Sequence, residues 1–531
     1  MASLESKTAE LGEGMIMSHF PSITYLVAVF MLYLIYALQR PKAKDSILLN
    51  PTKWFEISES RIKNDFVANA RKLVRDGYAA VGKNKPFRIL TNNGELTMLP
   101  HKYVDEVRND TRFDFKHMIS KEFHGHLPGF EGFQQSTCNS DLVKGVVIKY
   151  LTTYLNKVTK PLADEAVESF RDILTDSKEW HSIGLRSEIV RIVARLSSKV
   201  FLGDELCHDE RWLQITVDYA VTVFRAADAL SMYPYYLRPI VHWFVPLCRE
   251  ARKNVKEARG LIKEVLEKRQ AQKAALEAQG KKVKNSNDAI DWFEDSAKGM
   301  HYDPAIAQLQ ISMAAIHTTS DLATQVILDL ARNPDIIEPL RQEIVKCLTE
   351  GGWKKTSLYN LKLMDSVIKE SQRVKPIASV ALVRLVMEDV KFSDGTILPK
   401  GTKAGFSMDR MWDPSVHPDP ERWDGYRFLN MRTDTDKNPS QANTAQLVST
   451  CANHMAFGHG MHSCPGRFFA ANEIKVFLCH FLLKYDFRLV EGAAEPRVWE
   501  TGFSMNADPL ANIEVRRRKE EMDLDGLEAQ V

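Results

Sequence analysis

The stretch from Asp303 to Pro334 constrains the fold more than any other part of the chain. Asp303 stands before Pro304, the pairing expected of an N-cap and a first helical residue, and Asn333-Pro334 closes the far end. The 29 residues between contain no further proline and no glycine. As one helix they measure about 43 Å at about 1.5 Å per residue, enough to cross a whole domain. Ile306, Leu309, Met313, Ile316, Ala323, Ile327 and Leu330 make an apolar packing stripe. Another face carries Ala314, His317, Thr318 and Asp321 at i, i+3, i+4 and i+7, a small residue beside polar groups within a buried helix. A cavity that needs proton transfer would use that face.

Helical spacing recurs at 141–156, 186–202, 249–279, 334–348, 362–373 and 468–483. Hairpins are few: 87–99 turning at Asn92-Asn93-Gly94, and 390–398 turning at Asp394-Gly395. The fold class is therefore mainly α with a small β region. No repeat or linker divides the chain, which predicts one large domain over 46–515, after a leader and anchor at 1–45 and before a charged tail at 516–531. The Lys-, Arg- and Glu-rich stretch 249–284 reads as a solvated helix and loop, with partner docking as the alternative. A hydrophobic content of 44% excludes a disordered chain. Lys plus Arg number 71 against 69 acidic residues, too balanced for nucleic acid to be the main partner. Seven cysteines without a C-x-x-C pair make neither a disulfide framework nor a zinc site, and point to a reducing compartment.

Residues 21–38 carry no charge and are almost wholly apolar, close to the roughly 20 residues that span a bilayer. One uncleaved transmembrane helix is predicted, since no basic region precedes it as in a secretory signal. Arg40, Lys42 and Lys44 follow it, which keeps the rest of the chain on the cytoplasmic side.

A second constraint lies towards the C-terminus. Phe457-Gly458-His459-Gly460-Met461-His462-Ser463-Cys464-Pro465-Gly466 sets one cysteine after a glycine-rich loop and directly before a helical run. Glycine lets the backbone approach a flat ligand, and the free N–H groups of a helix N-terminus favour negative charge on sulfur. A low-pKa cysteine can serve as a nucleophile or as a metal ligand, and the loop alone does not choose between them.

The pattern resembles the F-x-x-G-x-x-x-C-x-G signature of the cytochrome P-450 superfamily at Phe457, Gly460, Cys464 and Gly466, with Ala470 fitting its extended form. The resemblance covers the whole chain, anchor included. It implies the cytochrome P-450 fold with one N-terminal transmembrane helix, and a haem b whose iron takes Cys464 as axial thiolate, a donor that favours O–O cleavage. Glu370 and Arg373 resemble the family's E-x-x-R motif, and the resemblance implies that both engage a later arginine to fix the thiolate loop. Arg427 matches that arginine best, with Arg422 a rival.

Ala314-Ala315-Ile316-His317-Thr318-Thr319 resembles the oxygen-activation motif A-G-x-D/E-T-T, but departs from it twice. Ala315 replaces the glycine, so any kink must come from Thr318 bonding back to the backbone. His317 replaces the acid and reads either as a proton relay or as a hydrogen-bonded core histidine. Thr318 is the hydroxyl expected to manage protons at the bound oxygen. By the same resemblance Arg384 and His462 face the haem propionates. The family's W-x-x-x-R pair is absent from the first predicted helix, where Lys144 or Lys149 is the available substitute.

These motif forms look like the fungal microsomal branch that includes ent-kaurene oxidases and natural-product hydroxylases. The resemblance implies a membrane-bound monooxygenase of the endoplasmic reticulum with its catalytic domain cytoplasmic. It uses dioxygen and electrons from an NADPH-cytochrome P-450 reductase to oxidise a hydrophobic small molecule: a terpenoid, meroterpenoid or prenylated indole alkaloid. Desaturation, ring closure, rearrangement or coupling by the same oxidant is an alternative, and a haem sensor or carrier is a non-enzymatic one. Apolar segments at 126–133, 377–382 and 503–505, with Ile316, are the candidate pocket lining. The aromatic run 233–244 reads either as a bilayer contact or as ordinary packing.

Overall fold

The computed structural model describes residues 46–528 apart from 54–55, 57–58, 135–141, 282–285 and 435–438, together with Val27, Phe30 and Met31. The chain divides into two compact units, Met1–Asp45 and Ser46–Val531. In the first, Val27, Phe30 and Met31 are helical; the remainder of the run 21–38 lies outside the described residues. Among the described residues no helix is long and apolar enough to cross a membrane.

The second unit is mainly helical with small sheets. Its long helix runs over Pro304–Arg332, as its caps predict, and the Asp303 carboxylate accepts from the N–H groups of Ala305 and Ile306 at 3.0 and 3.2 Å. Helices Leu185–Leu202, Glu210–Ser231, Pro246–Ala278 and Lys362–Val374 pack around it. A helix enclosed this way is apolar on nearly every side. Arg467–Lys484, which follows the cysteine loop, is buried from Ala471 to Lys484 and lies against Leu155–Leu174 and the long helix.

The helix expected over 141–156 is instead three elements. Leu142–Val146 passes into a π-helical segment, Val147–Thr152, and a new helix then runs over Leu155–Leu174. That helix continues through Pro161, which costs about 3 kcal/mol in a helix interior. The buried face of Leu155, Val158, Leu162, Ala163, Ala166 and Phe170 offsets the cost. Pro334–Ile336 is a 3-10 turn and the helix proper begins at Ile337. Ser60–Val81, Glu210–Ser231 and Ala289–Ala297 are further helices that the periodicity did not predict, the second capped by the Asp209 carboxylate.

Both hairpins form at the predicted turns. Phe87–Thr91 pairs antiparallel with Gly94–Leu99, and Val390–Lys391 with Ile397–Leu398. The first hairpin joins a five-stranded sheet in which Gly94–Leu99 runs parallel to Lys403–Ser407, followed by Val380–Val386 and Phe113–Asp114. A three-stranded sheet places Asn512–Arg517 between His181–Gly184 and Tyr485–Leu489. Residues 516–528 continue from that strand within the same unit, and Leu524 is buried.

Candidate functional site

Lys362–Val374 sits wholly inside the protein from Leu363 to Arg373. Glu370 and Arg373, three apart, share a face and pair through two bonds of 2.8 and 2.9 Å. Arg427, at the start of helix Arg427–Thr433, brings Nε within 3.1 Å of both Glu370 oxygens. One carboxylate thus holds two guanidinium groups. Their remaining N–H groups donate to the carbonyls of Met411, Pro418, Asp419, Pro420 and Arg422, which fixes the path of 411–427. Arg422, the rival for this place, contributes only its carbonyl; its side chain is exposed.

The same helix grips the approach to the cysteine loop through residues that the motif search missed. Lys369 donates to Gln446 O and Ser449 O at 2.7 and 3.1 Å, and burial pushes its ammonium pKa down to about 8. Gln372 meets His454 Nε2 at 3.1 Å. The signal for both was a charged and polar run, Lys369 to Arg373, in a helix with no solvated face.

In the loop, Gly458 and Gly460 adopt φ values of +68° and +76°. A Cβ on Gly460 would lie 2.2 Å from Arg108 O, so this position excludes every other residue. Phe457 closes the loop by accepting from the Cys464 N–H at 2.7 Å. Cys464 is half-buried. Burial pushes its thiol pKa up, and the Gly466 N–H and the charge and N–H of Arg467 pull it down. The N–H donors expected at a helix start are present but do not prevail. A metal bound to the sulfur would favour the thiolate.

Arg384 lies on strand Val380–Val386, directly after an irregularity in its pairing with Lys403–Ser407. Leu382, buried in that bulge, holds φ at +50°, a strain of about 1–3 kcal/mol for a non-glycine residue. The bulge re-aims Arg384, whose guanidinium lies over the Phe115 ring at 4.8 Å and donates to the carbonyl of neighbouring Val383. Among the described residues no carboxylate pairs with it, and burial pushes its pKa down to about 10. His462, on the turn Gly460–His462, is pushed down to about 4 by burial, then by the charges of Arg384 and Lys144. Lys144 donates to Met461 O at 3.1 Å, whereas Lys149 is turned to the Tyr150 hydroxyl. Arg384, Lys144 and His462 therefore form a basic corner suited to anions.

Within the long helix Ala314 and Thr318 are exposed, although the helix is buried from Ala305 to Leu309 and again from Thr319 to Leu330. An exposed strip midway along an enclosed helix opens on a concavity. Thr318 Oγ1 donates to Ala314 O at 2.7 Å, the back-bond expected of it. His317 points to helix Glu210–Ser231, where its Nε2–H donates to Val217 O at 2.9 Å; burial lowers its pKa and keeps the ring neutral. Asp321, on the same predicted face, is paired with Lys375 and Arg186.

A buried thiol at a helix start, a basic corner suited to anions and an exposed strip midway along the long helix together fit a haem with its iron and its two carboxylates. Glu165, Cys207 and His208 also bring three ligand-type atoms together. There, however, Arg195 already donates to Glu165 at 2.8 Å, and burial pushes the Cys207 thiol up to about 12.

Comparison with known proteins supports the same group. Residues 101–512 match the family model described as Cytochrome P450. Cytochrome P450 monooxygenase hepE of Aspergillus oryzae is 47% identical over 496 residues, which is 93% of this chain and 89% of that protein. Cytochrome P450 monooxygenase 1 of Gibberella fujikuroi is 50% identical over 442 residues, 83% of this chain and 99% of the relative. Cytochrome P450 monooxygenase eqxH of Fusarium heterosporum is 42% identical over 503 residues, 95% and 96% of the two chains.

Glu370→Gln leaves two buried guanidinium groups without a carboxylate, a loss of about 3–5 kcal/mol. The expected result is a lower urea midpoint and loss of haem on purification. Arg422→Gln, at an exposed side chain, should change neither.

Proposed function

The chain belongs to the cytochrome P450 family and is a monooxygenase of it; on that premise we propose that it oxidises a hydrophobic natural product, of terpenoid, meroterpenoid or prenylated indole alkaloid type, in fungal secondary metabolism. The relatives named above are fungal monooxygenases, which supports that setting. The observation that carries the reading is Cys464, with the Gly466 and Arg467 N–H groups on its sulfur, in the loop whose His462 adjoins Arg384.

Bound through Cys464, haem b supplies activation of dioxygen, helped by thiolate donation. Phe457, Gly460 and Gly466 shape the loop that would receive it, and Arg384, His462 and Lys144 would hold its carboxylates. Thr318 holds a proton on Oγ1 at the concave strip; a change of χ1 turns that proton from the Ala314 carbonyl towards the cavity. His317, its Nε2–H kept on Val217 O, braces the long helix and leaves proton handling to Thr318. Apolar side chains along 377–382 and 503–505 exclude water and hold the substrate. Electrons come from an NADPH-cytochrome P-450 reductase, the kind of redox partner that membership of the family implies.

We place the protein on the endoplasmic reticulum membrane with its catalytic unit cytoplasmic. Besides the run 21–38, the surface around 232–244 supports this. Tyr235, Tyr236, Ile240, Trp243 and Phe244 are exposed there, Tyr236 at 76% and Phe244 at 75%. Such a cluster of large apolar and aromatic side chains suits a lipid interface.

Cys464→Ala is expected to abolish both turnover and the thiolate-type carbon monoxide spectrum; retention of that spectrum would remove the ligand assignment. Thr318→Ala should raise peroxide released per NADPH consumed, and unchanged coupling would mean that protons take another route. In the chain from Ser46 onward, a compact unit of its own, Tyr236→Ser with Phe244→Ser should lower retention on phospholipid vesicles several-fold in a flotation assay.

A further inference from the structure

Asp321 stands one turn beyond Thr318 on the long helix and is 2% exposed. Three donors converge on its carboxylate. Arg186 Nη1 and the Ala507 N–H reach Oδ1 at 3.1 and 2.8 Å, and the Lys375 ammonium, itself buried, takes Oδ2. They come from three separate parts of the chain: the first turn of Leu185–Leu202, the residue after Lys362–Val374, and the residue after strand Ser504–Asn506.

Lys375 and Ala507 each sit two residues from a segment proposed above to hold the substrate, and those two segments are bonded to each other. The Met505 N–H donates to Ile377 O at 2.9 Å, the Ser379 N–H donates to Phe503 O at 2.8 Å, and Ala378 bridges Ser504. Residues 377–379 and 503–505 thus form one short antiparallel wall. It is tethered on both of its strands to a single carboxylate of the helix that carries Thr318. Ile377 is exposed on this wall although Pro376 and Ser379 beside it are buried. Buried ions are a poor source of stability, since apolar replacements often serve as well, but they do hold a fixed geometry.

We propose that Asp321 is a positioning residue for the monooxygenase reaction. Its carboxylate fixes the wall of 377–379 and 503–505 relative to Thr318, and so determines which part of a long hydrophobic substrate reaches the reacting centre. The proposal rests on the haem monooxygenase reading and extends it to the selection of substrate position.

The test uses the full-chain holoprotein and a series of 1-alkylimidazoles from butyl to dodecyl, whose ring nitrogen ligates the iron while the alkyl tail fills the pocket. Dissociation constants are read from the optical shift. Asp321→Asn alone leaves Lys375 unpaired in the interior; Asp321→Asn with Lys375→Met removes both charges and carries the test if the single variant does not hold haem. The wild type should show a sharp optimum in chain length. In the variant that optimum should flatten, with affinity at the best length falling by about tenfold or more and affinity for the butyl member unchanged. An unchanged profile, or equal weakening at every length, overturns the proposal. Absence of the thiolate-type carbon monoxide spectrum from the wild type would instead defeat the underlying haem reading.

Discussion

The buried Glu370 carboxylate, shared between Arg373 and Arg427, is the interaction on which the rest of the site depends. Neither Glu370 nor Arg373 has any solvent-exposed side chain, so their charges find partners inside the protein or are not tolerated. One negative and two positive groups leave an excess of positive charge. Five backbone carbonyls between Met411 and Arg422 absorb it. The meander 411–427 is thereby tied to Lys362–Val374, and Lys369 and Gln372 of that helix tie down 446–454. The cysteine loop begins three residues later. A carboxylate nearly a hundred residues away in sequence thus helps to position the loop that carries Cys464.

Several local departures from ordinary packing fall on the residues that make up the site. Leu382 is held at positive φ, Arg384 is buried with no carboxylate paired to it among the described residues, Gly460 presses on Arg108 O, and Thr318 turns its hydroxyl to its own helix while facing open space. Each would be a defect in an ordinary core. Two of them, the buried guanidinium of Arg384 and the exposed Thr318 strip, are ones that a haem with its carboxylates and flat face would satisfy. The enclosed helices 304–332 and 467–484 supply the apolar burial against which these departures are tolerated.

Reading the chain in one dimension worked best where a few adjacent residues decide the outcome. Asp303-Pro304 and Asn333-Pro334 delimited the long helix, Asn93-Gly94 and Asp394-Gly395 marked the hairpins, and the glycine spacing before Cys464 marked the loop. It failed at 141–156, where a π segment and then Pro161 interrupt or imitate helical spacing. Helix Glu210–Ser231 escaped notice although Asp209 caps it in the ordinary way. For the site, Glu370 and Arg373 were legible as a pair. The choice of Arg427 over Arg422 was not decided until the two side chains could be placed, one buried and one exposed.

The bounds of the long helix, the two hairpin turns and the family to which the chain belongs were determined by the sequence itself, since caps, turn residues and motif spacing act over a few neighbouring positions. Only the tertiary structure decided that Lys369 and Gln372 hold the approach to the loop, that His317 bonds to Val217, that Arg384 is buried away from any carboxylate partner among the described residues and that Asp321 gathers three distant donors. Those outcomes depend on which buried charges and hydrogen-bonding groups find one another across as many as 186 residues. No local pattern records such pairings, because the low dielectric that enforces them exists only once the core has closed.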